Sequence, residues 1–241
     1  WGASRRVTAW HYGGGLAFGP DGALWLTIGE KFEANWAQDL SKAAGKLLRV
    51  NPDGTIPGDN FGLTDGPGGT IHDAIFAYGL RNPFRATWDI PTGRFLIGEV
   101  GANNQLRSWE DLHVATFAEN GANYGWPVIT YGVDYSGDII SDKTHMDGMK
   151  QPWIYWDPSI APSGLTFYEG DMFKEWNGDI LVGSLKFTHL RRIEVENGEA
   201  VEQFEYLRDN QARIRDVEVG PDGAIYLLTD APNGKVLKLT K

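Results

Sequence analysis

Apolar residues along this chain alternate with small or polar ones in short runs, and the runs are broken by tight turns. Leu16 and Phe18 alternate with small residues, Pro20-Asp21-Gly22 forms a turn, and Leu24, Leu26 and Ile28 alternate again. Period-two alternation predicts strands, and Pro followed by Gly supplies the fixed and positive φ angles of a turn. The same strand-turn-strand unit recurs over residues 84–98, 164–184 and 214–229. Two copies are nearly identical in wording, Phe18-Gly19-Pro20-Asp21-Gly22-Ala23-Leu24 and Val219-Gly220-Pro221-Asp222-Gly223-Ala224-Ile225. A third strand is expected after each hairpin, at 46–50, 111–115, 190–194 and 235–239. The best helical stretch is short, Trp36 to Ala44, where Gly45 interrupts the pattern. Residues 55–73, rich in Gly, Pro, Asp and Asn, read as a long surface loop of the kind that often carries function.

Four units of three or four strands each predict an all-β fold, a β-propeller with about four blades in this chain. A β-sandwich is the alternative, but it explains the near-identical turns less well. Composition agrees: 12% aromatic residues and 31 glycines suit short strands and tight turns. The net charge of −10 argues against a general nucleic-acid binder, which needs a basic surface. No apolar run has the length of a membrane span. With no Cys there is no disulfide and no thiolate metal site. The chain opens on Trp1 with no signal peptide in view, so it is expected to be mature, trimmed or a fragment.

His11 precedes the first predicted strand and Glu30 follows the second, and a hairpin brings its open ends together. A carboxylate beside an imidazole fixes its tautomer and tunes its basicity, which makes a general base with an orienting partner. Arg81-Asn82 stands before the second hairpin as His11 stands before the first, and such a pair can polarise a carbonyl oxygen. The bland reading is a structural ion pair at Arg81 and a turn at Asn82-Pro83. Lys186, Arg213 and Arg215 make a cationic group suited to a polycarboxylate or phosphate, or simply a solvated strand edge. The runs 98–104, 109–112 and 121–127 combine glycine turns with Glu99, Glu110 and Asp111, a set that suits a hard cation such as calcium better than zinc.

Together these residues resemble the glucose/sorbosone dehydrogenase family, and more closely its bacterial soluble aldose sugar dehydrogenases that use pyrroloquinoline quinone (PQQ). The matching runs are 11–30, 45–54, 78–83, 123–127, 160–165 and 213–217, in family order. The resemblance implies a six-bladed propeller, of which residues 1–241 form a single domain lacking about two N-terminal blades. The remaining blades would be a separate chain, have been removed, or be replaced by self-association. It casts His11 as the base that takes the proton of the sugar C1 hydroxyl while hydride passes to the quinone, giving the lactone. Glu30 would orient His11, Arg81 and Asn82 would hold the quinone oxygens, and Lys186, Arg213 and Arg215 would bind the cofactor's carboxylates. Carbonyls of Gly101 and Ala102 would ligate a calcium beside the cofactor; Asp111 and the Tyr124 carbonyl would serve a second one. A periplasmic or secreted setting is implied, with a sugar as substrate and an unidentified electron acceptor. Leu80 replaces a common His, Ala102 a common Pro and Gly15 a frequent Arg. Two other functions compete: a non-catalytic propeller that binds carbohydrate or protein through its ten Trp, and a calcium-dependent lactone hydrolase.

Overall fold

The computed structural model of the chain describes residues 10–61, 72–103 and 108–241. It is all-β, with fifteen strands among the described residues. They are β1 (Gly13–Phe18), β2 (Leu24–Ile28), β3 (Lys46–Val50), β4 (Ile75–Tyr78), β5 (Pro83–Asp89), β6 (Arg94–Asn103), β7 (Ser108–Ala115) and β8 (Ile154–Trp156). After these come β9 (Pro162–Phe167), β10 (Ile180–Ser184), β11 (Leu190–Glu196), β12 (Glu199–Tyr206), β13 (Ile214–Val219), β14 (Ile225–Thr229) and β15 (Val236–Leu239). Each sheet takes its strands in chain order: β1–β4, β5–β8, β9–β12 and β13–β15. Meandering antiparallel sheets of this kind are the blades of a β-propeller. The chain divides into two compact units, residues 1–155 and 156–241.

All four predicted hairpins and all four third strands are present. The outer strands β4, β8 and β12 complete their sheets without an advance signal: Ile75-Phe76-Ala77-Tyr78, for one, is a short apolar run with no alternation. The helix expected over 36–44 is not formed; a 3-10 turn at Ala34–Ala37 stands there instead. Its carbonyls have other partners. The Lys46 ammonium donates to the carbonyls of Trp36 (2.8 Å), Ala37 (3.0 Å) and Ala44 (2.7 Å), and Gly79 N–H donates to Ala37. An α-helix needs those carbonyls for its own ladder, so tertiary bonding wins over local propensity. In the long loop, 62–71 lie outside the described residues.

In the first unit the core lies between the first two sheets. Trp25, fully buried, packs edge-on against Phe76 and Trp88, with Leu47, Phe95 and Ile97 around them. Aromatic pairs in this geometry add to what area burial contributes. The alternation of β1 puts its small residues, not its large ones, on this side: Leu16 and Phe18 are exposed. A Cβ on Gly15 would lie 2.7 Å from the Ala86 Cβ, so glycine lets β5 approach. Leu24, Leu26 and Ile28 pack on the opposite side, against Leu48 and Ile75. The Thr27 hydroxyl ties the two sheets together, accepting from Gly15 N–H (2.9 Å) and donating to the Pro83 carbonyl (2.6 Å). The second unit repeats the device: the buried Ser163 hydroxyl donates to the carbonyls of Gly183 and Ile214.

Thr27→Val keeps the shape and removes both bonds, leaving the Gly15 N–H and Pro83 carbonyl unpaired. It is expected to lower unfolding free energy by about 1–3 kcal/mol in urea titration, with little change in m-value.

Candidate active site

The first hairpin brings its ends together as its register requires. β1 and β2 pair from Phe18↔Leu24 to Gly13↔Ile28, with a bulge between Gly13 and Leu16. His11 and Glu30 therefore meet, and His11 Nδ1 hydrogen-bonds Glu30 Oε1. Both are buried, Glu30 to 1% exposure, and its second oxygen has no partner. With Nδ1–H given to the carboxylate, Nε2 is the basic nitrogen of His11. Phe32 stacks on the imidazole at 4.2 Å between centroids. His11, Lys31 and Phe32 all have φ near +60°. Such left-handed non-glycine residues persist only where surrounding structure holds them, and they cluster at functional sites.

Arg81 stands beside this pair and is tied to it through the backbone. Glu30 N–H donates to the Arg81 carbonyl (2.8 Å), and Gly13 N–H donates to Asn82 Oδ1 (3.1 Å). The backbone N–H groups of Arg81 and Asn82 both donate to Glu99 Oε1. The guanidinium lies between the rings of Trp126 and Tyr135, at 5.2 and 5.5 Å, and its Nη1 donates to the Val100 carbonyl (2.8 Å). Its Nε is buried without a partner. His11, Glu30, Phe32, Arg81 and Trp126 line one open cavity of about 280 Å³. That is close to the lower end of small-molecule sites.

A second, small cavity of about 30 Å³ lies on the other side of Arg81, with Glu99, Gly101, Asp111, His113 and Tyr124 in its wall. Pairing of β6 with β7 sets Glu99 opposite Asp111, and the two-residue step to His113 keeps that side chain on the same face. One ligand atom from each of Glu99, Asp111 and His113 lies within 4.8 Å of the others. His113 Nε2 bonds Glu99 Oε2 at 3.0 Å, and its Nδ1 is buried and unpartnered. Burial depresses the His113 imidazolium, but the Glu99 hydrogen bond and the charges of Glu99 and Asp111 outweigh it, so its pKa is raised. Tyr124 is held by its hydroxyl, which donates to the Val114 carbonyl (3.0 Å). Ala102 lies in β6, next to Gly101.

In the second unit Arg213 and Arg215 converge on one carboxylate. Arg213 Nε and Nη2 donate to Asp230 Oδ2 at 3.0 and 2.9 Å, and Arg215 Nη2 donates to the same oxygen at 2.9 Å. Arg213 Nη1 also reaches the Leu185 carbonyl (3.3 Å), next to Lys186, whose ammonium lies over the Phe187 ring. Asp230 thus holds two guanidinium groups on a single oxygen.

The structure therefore brings His11, Glu30, Arg81 and Asn82 together in the first unit, and gathers Gly101, Asp111 and Tyr124 around one small cavity. The sequence argument did not single out His113, Phe32, Tyr135 or Asp230. His113 was legible, since Asp111 and His113 are two apart on a predicted strand.

Comparison with known proteins places these features in context. A family model described as glucose/sorbosone dehydrogenase matches residues 2–238. The chain is 35% identical over 238 residues to the aldose sugar dehydrogenase YliI of Escherichia coli (strain K12), covering 98% of this chain and 62% of that protein. It superposes with TM-score 0.84 and 35% identity on the apo-form soluble aldose sugar dehydrogenase from Escherichia coli, over 95% of this chain and 63% of that one. A PQQ-bound aldose sugar dehydrogenase from Streptomyces coelicolor superposes with TM-score 0.72 and 27% identity, over 96% and 62%. The chain thus spans about three fifths of the length of these relatives.

The raised His113 pKa makes a stability prediction with a definite sign. A group charged more readily when folded stabilises the fold fully below its unfolded pKa of about 6.5, and that increment is lost as pH rises through the raised value. Glu99→Gln removes the charge that raises it. The stability gap between wild type and E99Q, from denaturant titrations, is expected to narrow as pH rises above 6.5. A gap constant with pH would contradict the pairing.

Proposed function

We propose that this chain, which belongs to the glucose/sorbosone dehydrogenase family, carries the base and cofactor-holding residues of a PQQ-dependent aldose dehydrogenase that oxidises the sugar at C1 to the lactone. The observation that carries this reading is the buried His11–Glu30 pair, beside Arg81 on one open cavity. Because the chain spans about three fifths of its relatives, the activity of the whole protein is part of the proposal.

The surroundings suit the cofactor. Arg81 keeps one buried guanidinium nitrogen without a partner, as a residue made to meet an oxygen acceptor would. In the second unit Arg213 and Arg215 already hold one carboxylate, that of Asp230, and with Lys186 they are the cationic side chains of the kind that would hold the carboxylate groups PQQ carries. PQQ, when bound, supplies an ortho-quinone that accepts hydride. The chain's own part is proton handling and orientation. His11 Nε2 takes the proton of the C1 hydroxyl while the C1 hydrogen leaves as hydride, so C1 becomes the lactone carbonyl carbon. Glu30 holds Nδ1, keeps Nε2 basic and stabilises the imidazolium once the proton arrives. Arg81 would hold a quinone oxygen and supply positive charge to it. The Asn82 side-chain Oδ1 accepts from Gly13 N–H and serves first to seat the hairpin.

Calcium belongs to the proposal through oxygens of Gly101, Ala102, Asp111 and Tyr124. The support is that Gly101, Asp111 and Tyr124 share one cavity wall. Glu99 has both oxygens engaged and His113 offers nitrogen, so neither suits an all-oxygen calcium shell. A periplasmic or secreted setting is the family expectation; among the described residues no helix is long and apolar enough to cross a membrane.

His11→Ala is expected to lower kcat with an aldose by about 10²–10⁴, the range of a lost general base. PQQ affinity, read by titration of the quinone absorbance, should stay within a few-fold. Unchanged turnover would remove His11 from the role. A protein that binds sugar but never turns it over with PQQ and calcium would instead be a carbohydrate-binding module.

A further inference from the structure

The rim of the His11 cavity is built by a stretch that neither the repeats nor the family runs account for. Residues 128–143 form a pinned excursion within the first unit. Thr130 N–H donates to the Lys143 carbonyl, the Ser141 hydroxyl donates to the Val128 carbonyl, and Val133 bridges Ile139. Asp134 N–H donates to the Asp138 carbonyl (2.9 Å) and Gly137 N–H to the Asp134 carbonyl (2.8 Å), with Gly137 at φ +92°. The result is a small hairpin whose tip is fixed by its own backbone.

That tip is docked beside the His11–Glu30 pair, on Phe32 and Arg81. Tyr135 stacks on Phe32 at 5.9 Å and 17°, and Phe32 stacks on His11. The Tyr135 hydroxyl accepts from Arg81 Nη2 (3.3 Å). Asp134, Asp138 and Ile139 then line the cavity opposite His11 and Glu30. Two residues of the same cavity, Glu30 and Arg81, each carry a buried polar atom without a partner, Oε2 and Nε, the kind of unmet hydrogen-bonding capacity that a polar ligand can satisfy. Carboxylates that only accept hydrogen bonds, set beside apolar and aromatic faces, are the chemistry that reads a polyhydroxylated ring.

We propose that the hairpin Val133–Ile139 selects the substrate: Asp134 and Asp138 accept hydrogen bonds from sugar hydroxyls, and their two negative charges favour neutral aldoses over sugar acids. This rests on the reading of the His11 cavity as the sugar site. Asp134 and Asp138 each have an oxygen in the turn, Asp134 Oδ1 accepting from Tyr135 N–H and Asp138 Oδ2 from the Ser136 hydroxyl. Each retains a second oxygen for a ligand. An Asn side chain keeps one acceptor oxygen for the turn and removes the charge.

The experiment compares D-glucose with D-glucuronate on wild type and on the double variant Asp134→Asn/Asp138→Asn. Binding is read from tryptophan fluorescence without PQQ, and turnover from the chain reconstituted with PQQ and calcium. Wild type is expected to bind glucose at least about tenfold more tightly than glucuronate, and the variant to reduce that ratio to about threefold or less, since like-charge juxtaposition is what rejects the acid. An unchanged ratio in the variant overturns the inference, and so does a wild type that binds neither sugar or binds both equally. Turnover separates the two readings: sugar binding with the predicted ratio but no oxidation removes the dehydrogenase reading and leaves the hairpin's role standing.

Discussion

The site depends on one buried carboxylate. Glu99, 4% exposed, is largely withdrawn from water, and a carboxylate in that position is costly unless its lone pairs are filled. They are filled by the backbone N–H groups of Arg81 and Asn82 on one oxygen and by His113 on the other. The consequence runs outward along the chain. With its N–H groups taken, the Arg81-Asn82 turn can face only one way, and its carbonyls receive Glu30 N–H and Val100 N–H. The Arg81 side chain then reaches back to the Val100 carbonyl. Glu30 is therefore placed by the second sheet although it follows a strand of the first, and His11 is placed by Glu30.

This chain of bonds explains how unfavourable local geometry survives. Three non-glycine residues in the left-handed region at His11, Lys31 and Phe32 would relax if the hairpin ends were free. They are held because Lys31 N–H donates to the His11 carbonyl, Glu30 is bonded to Arg81, and Gly13 N–H to Asn82. Close approach of the two sheets is the other requirement. Gly15 allows it, and Thr27 supplies the hydroxyl that satisfies a donor of one sheet and an acceptor of the next.

Much of this was legible in the residues, for reasons that also mark where legibility ends. Turn chemistry is local, so Pro20-Asp21-Gly22 and its repeat at 221–223 located their hairpins, and hairpin closure alone placed His11 against Glu30. The failures are all non-local. The 36–44 stretch has helical composition, but Lys46, ten residues from Trp36, takes its carbonyls. Burial of the large residues of β1 could not be judged from alternation, because both faces of the hairpin alternate and only Ala86, far along the chain, shows which is the inner one. Asp230 was invisible as the partner of Arg213 and Arg215, since antiparallel pairing of β13 with β14 is what brings it there.

A division of labour follows from how the parts are held. The floor of the cavity is made of sheet ends whose backbone groups bond across two sheets, so His11, Glu30 and Arg81 cannot be moved independently. The rim is a hairpin whose hydrogen bonds are mostly its own, touching the floor through the Tyr135 ring and hydroxyl. Substitutions at its exposed carboxylates change charge at the mouth without disturbing the bonds that orient His11. A scaffold arranged in this way can vary at the rim while the geometry of the floor stays fixed, which is how loops on a rigid frame commonly carry specificity.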